Sequence, residues 1–188
     1  MVSSSSKVVG IGWAKTGTTT LGKCLHILGF THCSTRLDLI DDLQEGDVSK
    51  ALCIAEHFDS FDDWPWTLLY EQLDQTFPGS KFIMTLRDDA TWIRSYRNMV
   101  SRQSYSKQLS QRRSFIYGMD VLTATDLELV ERKRRHEDLV RRYFLSRPND
   151  LLEVDWEKGD RWGVLCRFLG YPEPRVSFPH ENIGFYGP

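Results

Sequence analysis

The stretch Val8 to Leu21, VVGIGWAKTGTTTL, sets two glycines, one lysine and four threonines where an apolar strand gives way to a helix. Orphan backbone amides and the positive end of the helix dipole converge at such a junction, so hydroxyls and an ammonium added there make a site for an anion, phosphate above all. The spacing departs from the nucleoside triphosphate recipe. That recipe asks for glycine, four residues, glycine, then Lys and Ser/Thr, with the lysine on the β- and γ-oxygens and the hydroxyl on magnesium. Gly12 and Gly17 keep the glycine spacing, but Thr18 stands in the lysine position and Lys15 comes two residues before Gly17. An ordinary strand–turn–helix junction with a capping threonine is the alternative, and it needs one hydroxyl. Here Thr16, Thr18, Thr19 and Thr20 crowd around Gly17, although threonine is a poor helix former.

A second constellation lies in FIMTLRDDATWIRSY. The apolar run Phe82 to Leu86 ends at Arg87, and Ser95 follows about two turns into a helix that begins near Asp89 or Ala90. A strand-end arginine and that serine are placed to converge on one anion at the carboxyl edge of a parallel sheet, where ligands bind in such folds. A nucleoside triphosphatase would instead close an apolar strand with an acid that holds magnesium. Val154-Asp155 offers such an acid, so this reading is weakened and stays open.

These residues need a scaffold. Short apolar runs alternate with helical patterns, the signature of an α/β domain with a mainly parallel sheet between helical layers. Strands are expected at Val8 to Ile11, Phe30 to Cys33, Ala51 to Ala55, Phe82 to Leu86 and Leu151 to Val154. Leu21, Leu25 and Leu28 repeat at helical spacing after the loop, Leu68, Tyr70 to Leu73 and Phe77 do so before Pro78-Gly79, and Trp92, Tyr96 and Met99 do so after Arg87. Ser101 to Gly118 is polar and weakly patterned, which reads as a solvated connection or a flap over the site. Asp126 to Phe144 reads as a charged helix with a solvated face over Leu127, Val130, Leu139 and Val140. A last helix is expected over Arg161 to Leu169, and the proline-rich stretch from Tyr171 to Pro188 as coil wrapping the domain.

At 188 residues and 40% hydrophobic content the chain has material for one domain with a substantial core, taken to run over 7–188 after a serine-rich tail at 1–6. A net charge of −2 argues against a general nucleic-acid binder. No run approaches a membrane span, and Met1 to Ser6 lacks the apolar core of a signal peptide. Cys24, Cys33, Cys53 and Cys166 lie far apart without a CxxC pair, which reads as buried, reduced thiols in a cytoplasmic protein.

With both constellations in hand, the chain resembles the sulfotransferases that use 3′-phosphoadenosine 5′-phosphosulfate. Lys15-Thr16-Gly17-Thr18-Thr19-Thr20-Leu21 is similar to that family's 5′-phosphosulfate loop, in its KTGTT form and not the KSGTTW form. Arg87 and Ser95 match the arginine and serine of its 3′-phosphate motif, and LLEVDWEKGDRWGVLCRFLGYPEP with FPHEN is similar to the ends of small bacterial and fungal relatives. The resemblance implies a P-loop-like fold and transfer of a sulfuryl group, without a metal, to a hydroxyl or amine of a small-molecule or carbohydrate acceptor. It gives the 5′-phosphate to Thr16, Gly17, Thr18, Thr19 and Thr20, the 3′-phosphate to Arg87 and Ser95, and the charge on the leaving oxygen to Lys15. Thr20 stands where cytosolic relatives carry an aromatic for the adenine. No Arg-Lys-Gly loop is visible near the C-terminus, with Arg175 and His180 as possible substitutes.

An acceptor must lose a proton, which calls for a base within hydrogen-bond reach. Related enzymes place it just beyond a strand after the phosphate loop, and here that region reads CIAEHFDSFDDWPW. Glu56, His57, Asp59, Asp62 and Asp63 all qualify by chemistry. Asp63 ranks first because it stands two residues before Pro65, echoing the family's His-x-Pro arrangement, and His57 second because an imidazole titrates near neutrality. Trp64 and Trp66 are candidates for an acceptor pocket or for the core. Two rivals remain: a magnesium-dependent nucleotide kinase or hydrolase, and a nucleotide-binding scaffold without a base.

Overall fold

The computed structural model describes residues 6–179. Five short strands, β1 (Val8–Gly10), β2 (His32–Cys33), β3 (Ser60–Phe61), β4 (Lys81–Thr85) and β5 (Leu151–Val154), form one parallel sheet in the order β2-β3-β1-β4-β5. The helices are α1 (Thr18–Ile27), α2 (Ile40–Gln44), α3 (Ser49–Ala55), α4 (Tyr70–Thr76), α5 (Asp89–Arg102), α6 (Lys107–Tyr117), α7 (Asp126–Tyr143) and α8 (Trp162–Leu169). None of them is long and apolar enough to cross a membrane.

Successive strand residues point to opposite faces, and that alternation separates the layers. Val9, Phe82 and Met84 pack on one face with residues from α3, α4 and α7, among them Ala51, Leu73 and Val140. Val8, Ile83 and Val154 pack on the other with Leu21 and Leu25 of α1 and Leu165 of α8. A third cluster, built from Trp13, Trp64, Trp92, Tyr96 and Tyr117, lies beyond the strand ends and joins α5 and α6 to the loops. The chain is thus a three-layer α/β structure with helices on both faces of a parallel sheet.

Because all strands run the same way, every strand-to-helix loop leaves the same edge of the sheet. β1 sits between β3 and β4, so the loops after these three strands are neighbours. That adjacency brings residues from three distant parts of the chain to one place.

Several expectations need correction. Ala51 to Ala55 is the end of α3 and not a strand; a five-residue apolar run does not distinguish the two, and here Ala51 and Ala55, one turn apart, are buried while Cys53 between them is exposed. The strand in this region is Ser60–Phe61, too short to show a period. Cys53 is therefore no core thiol, although Cys24, Cys33 and Cys166 are buried. The polar segment after α5 contains α6, started by Ser106, whose hydroxyl accepts from the Leu109 amide, and stopped by Gly118 in the left-handed region.

Helix α7 is framed by a capping box between Thr125 and Glu128. Its face toward the domain is not simply apolar. Lys133, His136 and Glu137 are buried, with the Lys133 ammonium 2.9 Å from both Asp89 and Glu137, whereas Leu127 and Leu139 are exposed. Of the C-terminal stretch, Phe178 packs against Trp156 and Trp162, and the Trp162 indole donates to the Val176 carbonyl. His180 and the serine-rich start before Ser6 lie outside the described residues.

Candidate active site

The loop between β1 and α1 is shaped by side chains that arrive from elsewhere. Its carbonyls are taken in turn: His136 donates to that of Ile11 at 2.8 Å, Thr67 to Gly12 at 3.3 Å, Thr16 to Trp13 at 2.6 Å, Trp92 to Ala14 at 2.8 Å, Arg87 to Lys15 at 3.3 Å and Trp156 to Gly17 at 3.1 Å. With its oxygens held outside, the loop leaves the amides of the first turn of α1, Thr18 to Thr20, without a carbonyl a turn earlier to bond. No side chain caps that end. The result is a phosphate-type cradle at a helix N-terminus. Burial pushes the His136 imidazole down to about 4, so near neutral pH it stays uncharged and donates from Nε2 to Ile11.

The glycines have separate jobs. A Cβ on Gly12 would meet the Thr85 hydroxyl at 2.0 Å, so this residue lets the loop lie against β4. Gly17 has φ 108° and would drive a Cβ into the Trp156 ring at 2.4 Å. Thr16 belongs to the same framework: its hydroxyl bonds Trp13 and Thr85 and its amide returns to Trp13. Thr16 nonetheless stands on the cavity before the loop, beside Gly17 and Thr18.

A cavity of ≈ 430 Å³ opens in front of the loop. Lys15 to Thr20 line it from the loop, Asp63 and Trp64 from the end of β3, and Arg87 and Ser95 from the segment after β4. Among the described residues, the non-glycine residues with positive φ are Lys15 at 72° and Asp63 at 63°. Such backbone is strained for both types, and both strained residues stand on this one cavity.

Their charges are perturbed in opposite senses. Burial and the neighbouring Arg87 charge lower the Lys15 pKa, with Asp63 opposing. Asp63 is pushed up to about 6, by burial first and then by the adjacent Asp62, against a hydrogen bond from the Trp64 amide, a Thr35 hydroxyl bond and the Lys15 charge. A carboxylate of this kind is ionised at neutral pH yet more basic than usual, which suits a proton acceptor. Arg87 is half-buried, reaches the Glu157 carboxylate and the Lys15 carbonyl, and leaves its Nε buried with no partner. An orphaned guanidinium N–H beside a cradle of amides fits a phosphate group.

The other candidates fall elsewhere. Glu56, His57 and Asp59 are exposed at the opposite edge, before β3 begins, where the Lys7 ammonium reaches the Phe58 carbonyl at 2.8 Å. His57 does not line the cavity, because the strand it precedes runs away from it toward Asp63. Asp62 is buried behind the loop, bonded to Ser34 and 3.3 Å from His32. Trp66 is core, donating to the Ser34 carbonyl, while Trp64 reaches the cavity. Asp155, the acid at the strand end, caps the turn after β5 by accepting from the Glu157 amide and does not line the cavity. Arg175 is exposed and also lies off it.

Sequence reasoning missed Thr35, Arg113, Tyr117, Trp156 and Glu157, all of which line the cavity. Arg113 and Tyr117 belong to the segment that reads as a solvated connection or a flap over the site, and Trp156 carried a signal as an aromatic one residue beyond an apolar strand and its acid.

Residues 7–184 match the sulfotransferase domain model, and the chain belongs to that family. It is 27% identical over 143 residues to Ava biosynthesis cluster protein M of Aspergillus versicolor, a match that takes in 65% of this chain and 54% of that protein. The chain thus spans about half the length of that relative. A gluconokinase from Sinorhizobium meliloti 1021 is similar in structure at TM-score 0.36 and 12% identity, over 77% of this chain and 98% of the kinase, a likeness too distant to bear on the reaction.

Proposed function

We propose that this chain is a sulfotransferase that takes 3′-phosphoadenosine 5′-phosphosulfate and sulfates a hydroxyl or amine of a small-molecule or carbohydrate acceptor. The observation that carries the reading is the pairing of a strained lysine and a strained aspartate, Lys15 and Asp63, on one cavity beside a phosphate-type loop. When bound, the nucleotide supplies an activated sulfuryl group and a phosphate whose bridging oxygen gains negative charge on departure. The Lys15 ammonium stabilises that charge. The first-turn amides of α1, Thr18 to Thr20, hold the 5′-phosphate. Arg87 exchanges Glu157 for the 3′-phosphate, engages its unused Nε, and shares the group with Ser95. Trp156, the aromatic beside Gly17, walls the nucleotide side in place of an aromatic at position 20. Asp63 takes the acceptor's proton and orients the nucleophile.

The reading makes a direct demand on binding. In calorimetry, adenosine 3′,5′-bisphosphate binds more tightly than adenosine 5′-monophosphate and without magnesium, and label from a ³⁵S-sulfuryl donor passes to a member of an acceptor library. Tighter, magnesium-dependent binding of ATP would replace this reading with the kinase or hydrolase one. Bisphosphate binding with no transfer to any acceptor would leave a scaffold.

A further inference from the structure

The cavity is also lined by residues to which the nucleotide reading assigns no part, Arg113 and Tyr117 among them. Helix α6 is fixed over it by Arg112, whose guanidinium makes a paired contact with the Asp41 carboxylate, Nε to Oδ1 at 2.8 Å, while Gln108 reaches the same carboxylate at 3.2 Å. With Arg112 turned to Asp41, its neighbour Arg113 lines the cavity, and Tyr117, one turn later on α6, does the same.

Arg113 is held only by neutral groups: Nη1 donates to the Tyr105 hydroxyl at 3.0 Å, Nη2 to the Gln103 amide oxygen at 2.6 Å, and the Met99 sulfur lies 4.0 Å away. Among the described residues no carboxylate forms an ion pair with it, in contrast to Arg87, Arg97, Arg112, Arg134, Arg141 and Arg147. Neutral acceptors aim a guanidinium without neutralising it. Nearby, the buried hydroxyls of Tyr96 and Tyr117 lie against each other, and that of Tyr96 also faces the Arg113 guanidinium. Apolar surface from Leu37, Trp64 and Met99 completes this end.

We infer that the acceptor is an amphiphilic anion, a hydroxyl or amine compound whose carboxylate is gripped by Arg113 while its apolar body lies on Leu37, Trp64 and Met99. The inference rests on the sulfotransferase reading and narrows its acceptor class. Two contacts give Arg113 to the acceptor and not to the nucleotide. Its partners Met99, Gln103 and Tyr105 lie one turn or more beyond Ser95, and its same-face neighbour Tyr117 packs on Trp13 and Trp64 at 5.3 and 6.2 Å, on the Asp63 side. A guanidinium with neutral partners gains a charge-assisted, two-point contact from a carboxylate that a neutral amide cannot supply.

The test uses the full chain saturated with adenosine 3′,5′-bisphosphate and a panel of aryl and alkyl hydroxy acids, each beside its neutral amide, with 4-hydroxyphenylacetate and 4-hydroxyphenylacetamide as the first pair. At least one acid binds about tenfold or more tightly than its amide in calorimetry. Arg113→Gln erases that preference and Arg113→Lys retains part of it, while bisphosphate affinity stays within about twofold of wild type and an unchanged thermal melt confirms the fold. A panel in which no acid outbinds its amide overturns the inference and leaves the sulfotransferase reading standing. So does a preference that survives Arg113→Gln, or a loss of bisphosphate affinity in that variant comparable to the loss of acid binding, which would assign Arg113 to the nucleotide. Failure of the wild type to bind the bisphosphate at all overturns the underlying reading instead.

Discussion

The two ends of the cavity handle charge by opposite means. At the loop end, many modest donors converge: the first-turn amides of α1, the Lys15 ammonium and the Arg87 guanidinium, on a backbone whose carbonyls are tied outward by His136, Thr67, Thr16, Trp92, Arg87 and Trp156. At the other end a single carboxylate, Asp63, is set among aromatic rings beside a second buried acid, and its pKa is lifted to about 6. The loop end is redundant, so removal of one donor leaves others on the same anion. The other carboxylate on the cavity, Glu157, is paired with Arg87 at the loop end, so the chemistry of the Asp63 end stands or falls with one residue.

The largest effect is therefore expected at Asp63. Asp63→Asn keeps the shape, and asparagine tolerates the left-handed backbone there as well as any non-glycine residue. Transfer falls by about 10²- to 10⁴-fold with bisphosphate affinity unchanged. In the wild type, kcat/KM climbs as pH rises through about 6, because the base must be ionised, and the climb is absent from the residual activity of the variant. Stability moves the other way. The folded pKa lies above the ordinary value, so ionising Asp63 costs the native state, and wild-type stability declines as pH rises from about 4 through 6. Asp63→Asn consequently melts a few degrees higher than wild type at pH 8 and converges with it near pH 4. Normal transfer by the variant would move the base elsewhere.

Lys15→Ala should come next, with turnover lower by about 10²- to 10³-fold and bisphosphate binding weakened far less, since the charge it meets develops in the transition state. Equal losses in both would make Lys15 a binding residue only. Arg87→Ala is expected to remove most of the preference for adenosine 3′,5′-bisphosphate over the 5′-monophosphate, about tenfold or more, because the loop amides still hold the shared phosphate. The smallest change is Glu157→Gln, which frees Arg87 from its ion pair and tightens bisphosphate binding a few-fold at low salt. Weaker binding would show that Glu157 positions Arg87 and does not compete with its ligand.

Legibility in the sequence followed distance along the chain. The loop and its helix were readable because their parts are contiguous, and Arg87 and Ser95 because a strand end and a helix of known pitch fix their relation. The strand at Ser60–Phe61 was not, since two residues carry no period, and the five-residue apolar run beside it fits a strand as well as a helix. With the strand at Ser60–Phe61, His57 stands at its amino end, away from the carboxyl edge where Asp63 meets the cavity, although the imidazole suits proton transfer by its chemistry. Helix α6 was hidden because its buried side, Ile116 and Tyr117, is confined to its last turn.

The sequence by itself determined the α/β class, the anion-binding loop with its lysine displaced from the triphosphate position, and the strand-end arginine with its serine, all of which rest on local spacing and backbone geometry. The tertiary structure alone decided that β1 lies between β3 and β4, which sets Lys15, Asp63 and Arg87 around one cavity. It also decided that Thr16 braces the loop, that Asp63 and not His57 reaches the site, and that Arg113 enters it without a carboxylate partner. These are contacts between residues tens of positions apart, fixed by the order of strands in the sheet and the seating of α6 on α2, and no local pattern of residue types encodes them.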